Sequence, residues 1–181
     1  MVDLDRIEQL ANELLDAIGE DPQRDGLKDT PKRFAKWWGE FMQYDPGKVE
    51  TAFATDGTDN MVAVTGMEVW SLCEHHLLPF TARVAVAYIP TDKVLGLSKF
   101  ARVAHKYAHR LQIQERMTNQ ILDELKQLTG SEHVAVVVDG EHSCMSRRGI
   151  RTSGTMRTSA LSGDFRNDST TRSEFFELVG R

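Results

Sequence analysis

"MVAVTGMEVWSLCEHHLLPFTARVAVAYIP", residues 61–90, is the stretch on which the fold of this chain turns. Its two ends, residues 61–73 and 80–90, are alternating or β-branched and read as strands. Between them stand a thiol, a carboxylate and two adjacent imidazoles: Cys73, Glu74, His75 and His76. The reading therefore places two strands on either side of a reactive cluster.

Working outward, residues 96–130 read as two helices. The expected N-cap is Ser98, apolar residues recur at Phe100, Val103, Tyr107 and Leu111, and Gly130 is the stop. The run "LQIQ" places a break near residues 111–114. "HVAVVVDG" (133–140) reads as a short buried strand, and residues 154–166 could be its partner. "TRSE" (171–174) has capping-box spacing ahead of a last helix. Upstream, Leu4, Ile7, Leu10, Leu14, Leu15 and Ile18 keep helical spacing up to Gly19. Thr30 and Pro31 look like the N-cap and first residue of a second helix, through Phe34, Trp37, Trp38 and Phe41. Residues 51–60 are polar and read as a loop. The core order is β-β-α-α-β-β, an α+β fold with an antiparallel sheet. The expected division is a helical arm, 1–50, and a main domain, 51–181.

The 181 residues suit one domain with an appended arm. Residues 1–60 hold 14 acids against 7 bases, whereas residues 61–181 hold 13 against 15. Clustered bases in a mildly basic domain suit a small anionic ligand rather than nucleic acid, which needs a domain-wide basic stripe. No apolar run is long enough to span a bilayer, so no membrane partner is expected. The acidic, amphipathic "MVDLDRIEQL" does not read as a targeting peptide, and a cytoplasmic location follows as the default.

The two cysteines, Cys73 and Cys144, each lie close to a histidine, in "CEHH" and "HSC". Cys-x-x-His lets Cys73 and His76 face one ion, with Cys144 as a distant thiolate. Three protein ligands leave the position that catalysis requires. The competing reading is two buried thiols and a hydrogen-bonded histidine. If His75 and His76 continue the strand they point to opposite faces, so one ion would not take both. His142 lies two residues before Cys144, on the same side if that segment is extended. A histidine near but not on a metal can carry protons, and an exposed loop histidine is the other reading of each. His105 and His109, at i and i+4, lack the acidic partner of a helical zinc motif and read as a solvated helix face.

Lys99 and Arg102 stand in the first turns of the helix opened at Ser98, where free N–H groups favour a phosphate. Arg33 and Lys36 form a similar pair, and surface charge is the plain reading of both. Glu115, at the helix break, could accept the N1–H and 2-amino group of a guanine, or be an ordinary exposed helical residue.

Together, "TPKR", "CEHHLLPF", "VLGLSKFAR", "RLQIQER", "HSCM", "RRG" and the closing "FR" and "TRSEF" resemble the GTP cyclohydrolase I family, in family order from about residue 27 onward. The resemblance implies the tunnelling fold for residues 51–181, with subunits joined into a barrel and two pentamers stacked as a homodecamer. It implies zinc on Cys73, His76 and Cys144, and proton transfer by His75 and His142. Glu115, helped by Gln114, would hold the guanine. Ser98, Lys99, Arg102 and Arg148 would line the ribose-triphosphate side, with Ser98 also serving the sugar chemistry. Arg33 and Lys36 would come from another subunit. The implied reaction is zinc-dependent hydrolysis of GTP to formate and 7,8-dihydroneopterin triphosphate, the first step of tetrahydrofolate or pterin synthesis. Ser146 and Arg147 depart from the family, which often carries apolar residues there.

Two other readings stay open on the sequence. One is a variant that opens the imidazole ring without reclosure, against which His75, His142 and Ser98 argue. The other is a non-catalytic, zinc-stabilised nucleotide-binding ring, against which the lack of a fourth protein ligand argues.

Overall fold

The computed structural model describes residues 1–55 and 60–180, which form two compact units, Met1–Asp45 and Pro46–Arg181. In the first unit α1 spans Leu4–Ala17 and α2 spans Thr30–Met42. Asp3 caps α1 by accepting the Arg6 N–H at 2.9 Å, and Gly19 follows its end at φ +85°. The cap position of α2 is Asp29, one residue before the Thr30 expected. Pro31 therefore sits inside the first turn, where a missing N–H forfeits no helical bond.

The second unit runs β1 (Ala52–Ala54), β2 (Val62–Cys73), β3 (Pro79–Tyr88), β4 (Lys93–Leu95), α3 (Leu97–Ala108), β5 (Leu111–Gln112), α4 (Gln114–Thr129), β6 (Val134–His142), α5 (Ser143–Ser146), β7 (Thr155–Leu161), α6 (Asp164–Asn167) and α7 (Ser169–Leu178). This is the α+β order expected, with short elements added. The loop reading of 51–60 missed β1, which pairs antiparallel with β4, and its residues 56–59 lie outside the described residues.

The main sheet has the order β5-β2-β3-β6-β7. Its neighbours are antiparallel except β2 and β5, whose short parallel pairing joins Leu72 to Leu111 and Cys73 to Gln112. Gly66, at φ +71°, lies where the β2–β3 register shifts between Val64 and Met67, a bulge in that strand.

Alternation along β6 explains its continuous apolar run. Val134, Val136 and Val138 face the core with Phe100, Val103, Met117, Ile121 and Leu125 of α3 and α4. Ala135 and Val137 face the opposite way, with Phe165 and Phe175 of α6 and α7. A strand covered on both faces needs apolar residues at every position. Each fully buried valine contributes about 2 kcal/mol relative to exposure.

Two helix starts differ from expectation. Gly96, in extended conformation, is the N-cap of α3, and Ser98 lies within its first turn. The α7 cap is Asp168, whose carboxylate accepts the Thr171 N–H at 2.6 Å, three residues ahead of the expected capping box. His105 and His109 also differ: they are half-buried, and the His109 ring meets Trp70 of β2 edge-on at 5.6 Å.

Candidate metal centre and surrounding site

Sheet pairing brings distant segments to one place. Leu72 is opposite Pro79, Phe80 is opposite His142, and Cys73 is alongside Gln112. The ends of β2 and β6 and the start of α4 therefore meet at one end of the sheet.

Beyond Cys73 the chain leaves the strand. Leu77 N–H bonds the Cys73 carbonyl at 2.8 Å, and Cys73 N–H bonds the Leu78 carbonyl at 2.9 Å. Residues 74–76 thus form a turn, so the strand rule for His75 and His76 does not apply. His75 Nδ1 is 3.7 Å and His76 Nδ1 3.9 Å from Cys73 Sγ. Leu77 closes the turn at φ +55°, an uncommon conformation for a residue with a side chain.

Cys144 also sits differently from the extended reading, because β6 ends at His142 and the chain enters the helical turn α5. One ligand atom each from Cys73, His76 and Cys144 lie within 4.8 Å of one another. Zinc bond lengths of about 2.0–2.3 Å in a tetrahedral site put neighbouring ligand atoms roughly 3.5 Å apart, so small adjustments close this set on one ion. Two thiols with an imidazole match zinc in softness. Burial and the neighbouring Cys73 thiol push the Cys144 thiol up, while Arg148 pulls it the other way. A cation between the sulfurs removes that penalty.

Arg148 Nη1 approaches Nε2 of His76 at 2.6 Å. His142 is half-buried and stacked on Phe80, with centroids 4.5 Å apart and planes 10° from parallel. Burial lowers its pKa, and the charge of Glu115 partly restores it. Gln114 is buried, with its amide oxygen 2.8 Å from His142 Nε2. Glu115 is exposed in the first turn of α4.

The expected phosphate residues are placed on α3, where Ser98 is exposed. Lys99 is buried and donates to the Lys48 carbonyl at 2.8 Å, and Arg102 donates to the Pro46 carbonyl. Arg33 and Lys36 are exposed on α2, with ion pairs to Asp29 and Glu40 at 3.5 and 3.6 Å. Phe80 and Gly140 belong to the site and were missed by the sequence reading. Their signal was a ring at a strand start and a glycine inside a strand pattern.

The fold and site define an α+β protein with a three-residue group, at one end of its sheet, that could hold a metal ion. The family model described as GTP cyclohydrolase I matches residues 7–180. A "GTP cyclohydrolase 1 1" of Pseudomonas syringae pv. tomato is 50% identical, covering 93% of this chain and 93% of the relative. One of the same name from Pseudomonas aeruginosa is 48% identical, covering 97% of each. A "GTP cyclohydrolase 1" of Hyperthermus butylicus is 43% identical, covering 98% of this chain and 92% of the relative. The chain belongs to the GTP cyclohydrolase I family and is an enzyme of that type. Among the described residues, no helix is long and apolar enough to cross a membrane.

Proposed function

We propose that the protein hydrolyses GTP to formate and 7,8-dihydroneopterin triphosphate, with zinc held by Cys73, His76 and Cys144. The observation that carries this reading is the convergence of that ligand set with His75, His142 and Glu115 around one sheet end. Zinc bound there would supply a Lewis acid that brings the ionisation of water toward neutral pH.

The remaining work falls to the chain's own residues. Glu115 accepts the guanine N1–H and 2-amino group, which fixes the purine's orientation. His142 gives a proton to N7, which makes C8 electrophilic. After formate leaves, His75 and Ser98 move protons at the sugar while its carbons rearrange and the new ring closes. Arg148, Lys99 and Arg102 hold the triphosphate, the last two by exchanging their backbone carbonyls for phosphate oxygens. Arg33 and Lys36 reach the same phosphates from a neighbouring subunit of a decamer of two stacked pentamers. The helical arm is residues 1–50, the catalytic domain residues 51–181, and the enzyme works in the cytoplasm.

The test is incubation of the purified protein with GTP. Formate together with a pterin that fluoresces after mild oxidation is expected. Formate without pterin indicates a variant arrested after ring opening, and neither product indicates a non-catalytic nucleotide-binding ring.

A further inference from the structure

Gln114 opens α4 with its side chain turned into the sheet rather than toward solvent, and it is 1% exposed. Its amide nitrogen lies 2.9 Å from the Val138 carbonyl, 2.9 Å from the Met156 carbonyl and 3.1 Å from Thr158 Oγ1. Carbonyl oxygens only accept, so the group facing Val138 and Met156 must be the NH₂. Turning the amide over would set its oxygen against two carbonyl oxygens, with no hydrogen to share between them. The orientation is therefore fixed by β6 and β7, and Oε1 is the atom presented to His142 at 2.8 Å.

An amide oxygen cannot donate. The 2.8 Å contact is a hydrogen bond only if His142 Nε2 carries the hydrogen. Neutral imidazole has one N–H, so the lone pair then stands on Nδ1. Phe80, stacked parallel on the ring at 4.5 Å, resists the ring flip that would put Cε1 where Nε2 now meets the amide oxygen.

Gly140 makes this contact possible. A β-carbon there would lie 2.1 Å from Gln114 Oε1 and 3.1 Å from His142 Nε2. The clash is with the atom that meets the histidine, held by an amide whose other end is anchored. The glycine in this strand thus marks a close approach rather than a turn.

We propose that Gln114, admitted by Gly140, is a positioning residue that holds His142 in the Nε2–H tautomer and leaves Nδ1 as the nitrogen that first takes up a proton and then passes it to the substrate. The inference rests on the role given to His142 above and moves Gln114 away from holding the guanine, since both ends of its amide are engaged within the chain.

Neutron diffraction from the deuterated, zinc-loaded full chain at about pH 8, where the ring is neutral, reads the tautomer directly. A deuteron on Nε2 and none on Nδ1 is expected, and a deuteron on Nδ1 alone overturns the proposal. This measurement needs no variant and no turnover, so its failure is separate from a failure of the product assay with GTP. Gly140→Ala and Gln114→Leu then test positioning by kinetics: kcat should fall about 10-fold to 100-fold, less than loss of a proton-transfer residue itself, with KM for GTP changed less than about two-fold. A raised KM with kcat kept would return Gln114 to the substrate and overturn the proposal. If Gly140→Ala fails to fold, Gln114→Leu and the unmodified crystal decide.

Discussion

Arg148 and His76 meet at the candidate metal centre, where the guanidinium and a bound ion would compete for one imidazole ring. The guanidinium, which only donates, stands 2.6 Å from Nε2, so that nitrogen presents its lone pair and the ring's hydrogen lies on Nδ1, the side facing Cys73. An ion held through Nδ1 would move the hydrogen to Nε2 and disfavour Arg148 there, and one held through Nε2 would displace Arg148 directly.

Arg148→Ala should therefore bind zinc more tightly than the unmodified chain. A charge-assisted hydrogen bond contributes about 1.5 kcal/mol net at an exposed site, so a gain of up to roughly ten-fold is expected. Competition against a chelator of known affinity measures it. Unchanged or weaker zinc binding would show that Arg148 does not compete.

Glu115→Gln exchanges one acceptor oxygen for a donor, which would face a donor on guanine. GTP binding should weaken by about 10-fold to 100-fold, the range of a lost charge-assisted pair, while binding of inorganic triphosphate should hardly change. Titration calorimetry with the two ligands separates the cases, and equal losses would place Glu115 away from the base.

Acid should destabilise the metal-free protein through its half-buried histidines. Burial lowers the pKa of His105, with a further contribution from His109, and burial lowers that of His142. The unfolded chain binds protons more readily near its ordinary value of about 6.5. Stability from these groups is thus present above that value and is lost as pH falls through the lower folded values. Thermal midpoints should drop from pH 7.5 to 5, with a shallower drop in His105→Gln. Equal pH slopes would exclude His105 as a contributor.

Lys106 and Glu124 tie α3 to α4, with Lys106 Nζ 2.8 Å from both carboxylate oxygens. Glu124 is 8% exposed, and its carboxylate helps burial push the Tyr107 hydroxyl up to about 12. Lys106→Ala leaves that carboxylate uncompensated and should cost about 2–3 kcal/mol in denaturant unfolding, below a fully buried pair because the lysine is partly exposed. Lys106→Met with Glu124→Gln should cost less than the sum of the two single changes. Strict additivity would mean that the pair is not coupled.

What the sequence revealed is what local pattern controls. The β-branched runs around "CEHH" gave β2 and β3, the double-sided burial of β6 is written in "VAVVV", and Gly130 ends α4 at φ +71°. Cys-x-x-His and the second thiol singled out three residues that the fold brings within reach of one ion, because coordination is chemistry of residue type. The remainder depends on contacts between distant segments. Gly96 rather than Ser98 opens α3 because the chain arrives from β4, which is held by β1 some forty residues earlier. Cys144 enters a helical turn, so the condition that would set it on the same side as His142, an extended segment, is not met. Gln114 reads as a polar residue near a substrate until β6 and β7, 24 and 42 residues away, supply carbonyls for its amide. His105 and His109 looked solvated because Trp70 lies on another element.

Zinc binding and turnover are tied together most directly at Cys144. Metal content per chain and formate release from GTP should be measured on the same samples of the unmodified protein and Cys144→Ser, with circular dichroism as the check on folding. The predicted result is one zinc per chain with turnover in the unmodified protein, and loss of both in a folded Cys144→Ser. A Cys144→Ser protein that keeps stoichiometric zinc would contradict the ligand assignment, and one that turns over GTP without metal would contradict the mechanism.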